Sequence, residues 1–148
     1  MLHRLAVTCV LTAILTSCVS TRAGDEAAVR TAMAGFMDAL NALDADRMAS
    51  HFADDMTAFF PVVKAERVDG KSAIVAIFNT YVEGTKKNVS RTNIVAEDLR
   101  VDVRGDVAVV TFNVHNPSAT SRRTFVWRRD GGRWLIAHMH ASNYALAK

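Results

Sequence analysis

His138 and His140 stand two positions apart in the run Ala137-His-Met-His-Ala141. If that run is a strand, alternation puts both imidazoles on one face, a spacing that can present two nitrogens to one zinc ion. A third ligand would have to reach in from a neighbouring strand, and His115 is the only obvious candidate. Hydrogen bonding across strands or subunits asks less of the chain, so no metal is expected, nor any cofactor. Imidazoles that titrate at about pH 6.5 also offer a way to make assembly pH-dependent. Arg122, Arg123, Arg128, Arg129 and Arg133 crowd the same part of the chain. Strand alternation divides them between two faces and acids are interspersed elsewhere, so they read as solvated rim charges, and nucleic acid is not an expected partner. The chain carries no serine-nucleophile motif, phosphate loop or metal signature.

The element that must position these groups runs from Thr124 to Ser142. Stretches rich in aromatic and β-branched residues flank Asp130-Gly131-Gly132, which predicts an antiparallel hairpin with a tight glycine turn. Phe125 and Trp127 then face away from Thr124, Val126 and Arg128, and Met139 and Ala141 away from His138, His140 and Ser142. Neither face is plainly polar, so both need cover: helices on one, another subunit on the other.

Upstream, Asp25 can cap a helix in which Val29, Met33, Phe36, Met37, Leu40 and Leu43 recur at helical spacing. Asp44 can cap a second, from Ala45 to Phe52. Asp54-Asp55 reads as the exit into a strand, Met56 to Phe60, ended by Pro61. Asp69-Gly70 is a turn signal, and Ser72 a cap for a third helix through Glu83, stopped by Gly84. Beyond it the pattern turns to strands, Val89 to Val103, Val107 to His115 and then the hairpin. Turns fall at Arg104-Gly105-Asp106 and Asn116-Pro117-Ser118. Helices first and antiparallel strands after make the class α+β.

Thr124, Val126-Trp127, the Arg-Arg-Asp-Gly turn, Trp134 and His138-x-His140-x-Ser142 resemble the end of the association domain of calcium/calmodulin-dependent kinases. More broadly they resemble SnoaL-like members of the nuclear-transport-factor-two superfamily, as does Met56-Thr-Ala-Phe-Phe-Pro61, and the resemblance extends over Asp25 to Asn143. It implies a cone-shaped, cystatin-like fold: a strongly curved antiparallel sheet packed on about three N-terminal helices, with a pocket between them. In the kinase association domain that pocket carries arginines suited to an acidic group. Here their positions fall on Val114, Phe125 and Ala141, all apolar, so no carboxylate-binding pocket is expected. Phe112, Val114, Phe125, Trp127, Met139 and Ala141 share the implied inner parity. Together with Tyr81 they would line a chamber for a small apolar or amphipathic molecule, or simply fill the space as a non-catalytic oligomerisation module does. An isomerase or cyclase-like enzyme of this kind would need a pocket acid or histidine to remove a proton beside a carbonyl, and a donor to hold the enolate oxygen. Asp54, Asp55 and Glu66 are the available acids and Tyr81, His138 and His140 the donors, although Asp54-Asp55 looks more like a turn than a buried base.

Met1 to Arg4 supplies a short positive segment, and Leu5 to Leu15 is an apolar run too short to span a bilayer, the pattern of an export signal. Leu15-Thr16-Ser17-Cys18 resembles a bacterial lipobox, in which residues 1–17 are removed and Cys18 becomes the lipidated first residue. Cleavage near Ala23 by an ordinary peptidase is the alternative and would leave the protein soluble in the periplasm or secreted. Val19 after the cysteine, in place of an aspartate, favours the periplasmic face of the outer membrane, with the lipid as the only hold on the membrane. Residues 18–24 read as a tether and residues 25–148 as one domain, expected to pair as a homodimer. Cys9 leaves with the signal and Cys18 would be acylated, so no thiol remains for a disulfide, a metal or nucleophilic catalysis. The formal charge of +3, or +2 once Arg4 is removed, implies no particular partner.

Overall fold

The structure, a computed structural model, describes residues 22–61, 66–116 and 119–145. The export signal, the lipobox with Cys18 and the first part of the expected tether lie outside the described residues.

Helix α1 spans Arg22–Asn41 and buries Val29, Met33, Phe36 and Ala39, spaced three or four apart. It begins earlier than expected, so Arg22 to Gly24 are helix rather than tether. Asp25 is no cap; it lies inside the first turn, buried and ion-paired with Arg129, where a carboxylate also complements the helix dipole. At the far end Leu43 N donates to the Leu40 carbonyl at 3.1 Å and Asp44 N to that of Ala39 at 3.0 Å, the paired bonds of a Schellman cap. Leu43 takes the left-handed position at φ 56°, a strain of roughly 1–2 kcal/mol for a leucine, offset by complete burial of its side chain. Asp44 then caps α2 (Ala45–Ala49), its carboxylate accepting from Arg47 N at 3.0 Å.

Helix α2 ends at Ala49 instead of Phe52, because Phe52 opens strand β1, Phe52–Phe59. Asp54-Asp55 therefore lies within the strand; both residues are exposed in succession, and a break in register between Phe52 and Thr57 takes up the lost alternation. After the short β2 (Val68–Asp69), helix α3 runs over Lys71–Lys86. Gly70, at φ 85°, holds its N-cap position in place of Ser72, and Gly84 passes through the helix because the backbone stays right-handed as far as Lys87 (φ −63°). Strand β3 starts only at Glu97 and ends at Arg104. The expected strand from Val89 does not form, since Asn41 at the end of α1 takes the backbone of this segment for itself: its Oδ1 accepts from Ile94 N at 2.7 Å and its Nδ2 donates to the Ile94 carbonyl at 2.9 Å. The Ile94 amide is thereby withdrawn from any ladder, as is that of Thr92, which donates to the Asn41 carbonyl at 2.9 Å.

Strands β4 (Val107–Asn116), β5 (Ala119–Asp130) and β6 (Arg133–Ala145) follow as expected. Gly131 and Gly132 have φ of 54° and 79°, the positive values that a two-residue type I′ turn requires. Spatial order in the sheet is β2-β1-β6-β5-β4-β3. Strand β1 runs parallel to β6 while the other pairs are antiparallel, so the sheet is mixed. Breaks in register at Phe52/Thr57, Glu97/Arg100 and Val126/Trp127 bend it, and the result is a curved, unclosed sheet wrapped on the helices. Val110, Phe125, Trp127 and Met139 are buried on its inner side. The outer side presents two cross-strand rows, Val109-Val126-His138-Thr57 and Thr111-Thr124-His140-Phe59.

Candidate functional site

Between the curved sheet and helices α1 and α3 lies a cavity of about 280 Å³. Phe36 and Leu40 of α1 and Ile77, Phe78 and Tyr81 of α3 wall one side. Strands β4, β5 and β6 supply Val114, Phe125, Met139 and Ala141, while Phe60 and Pro61 follow the end of β1. The rings hold one another: Phe36 meets Phe125 at 5.6 Å and Phe78 at 6.3 Å, and Phe60 meets Phe78 at 5.8 Å, all close to edge-on. Ile94 closes a further side from the loop that Asn41 clamps. Asp38 ties the same region down by accepting from Arg47 at 2.8 Å and Arg91 at 2.7 Å, and these two guanidinium groups hold its carboxyl below the usual carboxylate range.

Five of the residues expected to bind a ligand line the cavity: Tyr81, Val114, Phe125, Met139 and Ala141. Phe112 and Trp127 share the inner parity but belong to the packed core. Phe112 lies edge-on to Phe125 at 5.1 Å, and Trp127 stands edge-on to His51 at 6.5 Å.

The acids and histidines considered for catalysis are elsewhere. Asp55 is exposed and held by Arg128 through bonds of 3.1 and 2.8 Å, which keep its carboxyl below the usual range and make it a weak base. Asp54 is also exposed, 3.3 Å from Lys71 Nζ, and Glu66 is exposed as well. His138 and His140 sit on the outer side of the sheet, each 5.9 Å from the ring of Phe59. His138 Nδ1 is 2.7 Å from Thr57 Oγ1, and burial, reinforced by His140 and Arg67, holds its pKa below the usual imidazole value. His115 bonds Thr120 at 2.9 Å and lies 3.8 Å from Glu97. Among the described residues no group of three His, Cys, Asp or Glu side chains could hold a metal ion.

Arg123, read from the sequence as a rim charge, lines the cavity together with Asn143. It pairs across the sheet with Ala141. Its Nε is sealed from solvent and has no hydrogen-bond partner among the described residues. Burial pushes its pKa down, and the neighbouring Tyr81 acts in the opposite sense. The signal was available: Arg123 stands two positions before Phe125, so alternation alone points it inward.

A family model described as the SnoaL-like domain matches residues 29–147. Among solved structures, the chain is similar to an NTF2-like protein of unknown function from Pseudomonas putida KT2440, with 25% identity, a TM-score of 0.72, and coverage of 81% of this chain and 87% of that one. It is similar to a candidate dehydratase of the NTF2-like family from Streptomyces avermitilis at 21% identity and TM-score 0.72, covering 86% and 100%. A third likeness is to the association domain of C. elegans CaMKII, at 19% identity and TM-score 0.66, covering 82% and 97%. The latter two likenesses speak to fold alone. No curated protein matches the chain.

Proposed function

The chain belongs to the SnoaL-like domain family, and from that premise we propose that it is an exported binding protein holding a small apolar or amphipathic molecule in its cone cavity, without catalysis. The single observation that supports this reading is the lining. Phenylalanine rings and aliphatic side chains form most of it, and no carboxylate or imidazole contributes among the described residues. Such a wall can hold apolar surface but has no group of suitable pKa to take a proton from carbon at neutral pH. The volume of about 280 Å³ stands at the small end of ligand pockets.

Native mass spectrometry of the protein purified from its own host, before and after denaturation, tests this. A bound small molecule that leaves on denaturation is expected, and Ala141→Phe, which drives a ring into the cavity, should lose it while keeping the circular dichroism of the fold. An adduct retained undiminished in the folded variant, or none in the unmodified protein, would count against the reading. Export by lipidation rests on the Leu15-to-Cys18 motif. Cys18→Ser should move the protein from the membrane fraction to the soluble fraction, and unchanged partitioning would overturn the anchor.

A further inference from the structure

Arg123 is the only charged residue lining the cavity among the described residues. No carboxylate pairs with it there, and its buried Nε has no hydrogen-bond partner among those residues. A guanidinium group cannot relieve such a position by losing its proton at ordinary pH, as a lysine can. Arg123 is half-buried, so its guanidinium group is partly desolvated with no counter-charge beside it, an unfavourable position that an anion brought into the same space would ease. Tyr81 and Asn143, both exposed residues, also line the cavity, and their hydroxyl and amide groups are able to donate to an anion's oxygens. Ala141, opposite Arg123 on the neighbouring strand, keeps the space beside the guanidinium open. The rest of the wall is apolar.

We propose that the molecule held in this cavity is a small amphipathic monocarboxylate, its headgroup bound by Arg123 with help from Tyr81 and Asn143 and its apolar part against Phe36, Phe78 and Phe125. The inference rests on the binding reading above and adds the chemical class of the ligand; it departs from the expectation of no carboxylate-binding pocket because Arg123 lines the cavity from a position other than Val114, Phe125 and Ala141. One cation matches one negative charge. At about 30 Å³ for each water-sized group the space takes roughly nine or ten non-hydrogen atoms, the size of a medium-chain or aryl carboxylic acid. An apolar cavity of the same shape without Arg123 would reverse the preference, since it would have to desolvate a carboxylate with nothing to pair it.

Calorimetric titration of the protein with octanoate, octanol and octylammonium chloride separates the possibilities. Octanoate should bind at least tenfold more tightly than octanol, the difference that one charge-assisted hydrogen-bonded pair supplies, and octylammonium should bind weakest. Arg123→Gln should weaken octanoate at least tenfold and leave octanol unchanged or tighter, while Arg123→Lys should keep the order of the three. Equal binding of octanoate and octanol by the unmodified protein would overturn the carboxylate assignment and leave the binding reading standing. Failure of every probe to bind would overturn both. Should Arg123→Gln not fold, the octanoate-to-octanol ratio in the unmodified protein and in Arg123→Lys decides the matter.

Discussion

His51 belongs to no motif, yet it joins helix to sheet. Its ring lies half-buried and edge-on to Phe36 at 6.1 Å and to Trp127 at 6.5 Å. Gly35 makes room for it, because a Cβ there would stand 3.1 Å from its Cε1. Burial, and after it the nearby Arg47, hold the His51 pKa below the ordinary value of 6.5, and burial acts in the same direction on His138. Above pH 6.5 the imidazoles are neutral in both folded and unfolded chains. As the pH falls below that value the unfolded chain takes up protons first, so stability declines until the folded-state pKa is passed and then levels off. The urea midpoint should therefore be lower at about pH 5.5 than at about pH 7.5. His51→Leu should show a smaller fall, with the share due to His138 remaining. An unchanged fall in the variant would remove His51 from the account.

At the scale of elements, the segment 89–96 shows how far local pattern reaches. Its valines and polar residues read as a strand, but Asn41, 53 positions away from Ile94, binds both backbone groups of that residue and accepts from Thr92 Oγ1 at 2.9 Å. Asn41→Ala would leave these part-buried groups without their partner, at a cost of about 1–3 kcal/mol. Urea unfolding should show that loss, and hydrogen exchange at the Ile94 amide should quicken beyond what the global loss explains. An Ile94 amide as protected as before would mean that the clamp does not hold the loop. Helix α1 and the β5–β6 hairpin were legible because period and turn chemistry are contained in a few neighbouring residues. The clamp was not, since it joins side chain and backbone through a contact that exists only after α1 and the sheet have packed.

For the whole molecule, one side of the cone is covered by its own helices and the other is open. Val109 of β4 and Phe59 of β1 belong to the rows that carry His138 and His140 and remain exposed on the open side, as does Val107 beside them. A second copy of the chain is the cover we propose for this face. Sedimentation velocity should give the mass of two chains for the unmodified protein and of one for Val109→Glu, because a carboxylate driven into an apolar contact is costly to desolvate. Val109 is 40% exposed in the single chain, so the variant should fold unaided. A variant that sediments as the unmodified protein does would place pairing on another surface.

The α+β class, the glycine-turned hairpin, the cap at Asp44 and the family resemblance were determined by the sequence itself, because each follows from residues adjacent in the chain or repeating at a fixed period. Parity along β5 and β6 was equally local, and it divided Phe125 and Met139 from His138 and His140 correctly. Tertiary structure alone decided what that division meant. It turned Asp54-Asp55 outward through a break in register, sank Phe112 and Trp127 into the core, and brought Arg123 and Tyr81 together in the lining of a cavity between sheet and helices. Alternation states that two side chains share a face, but whether that face is packed, open or hollow depends on the curvature of the sheet and on the helices laid across it, and both arise from contacts between residues far apart in the chain.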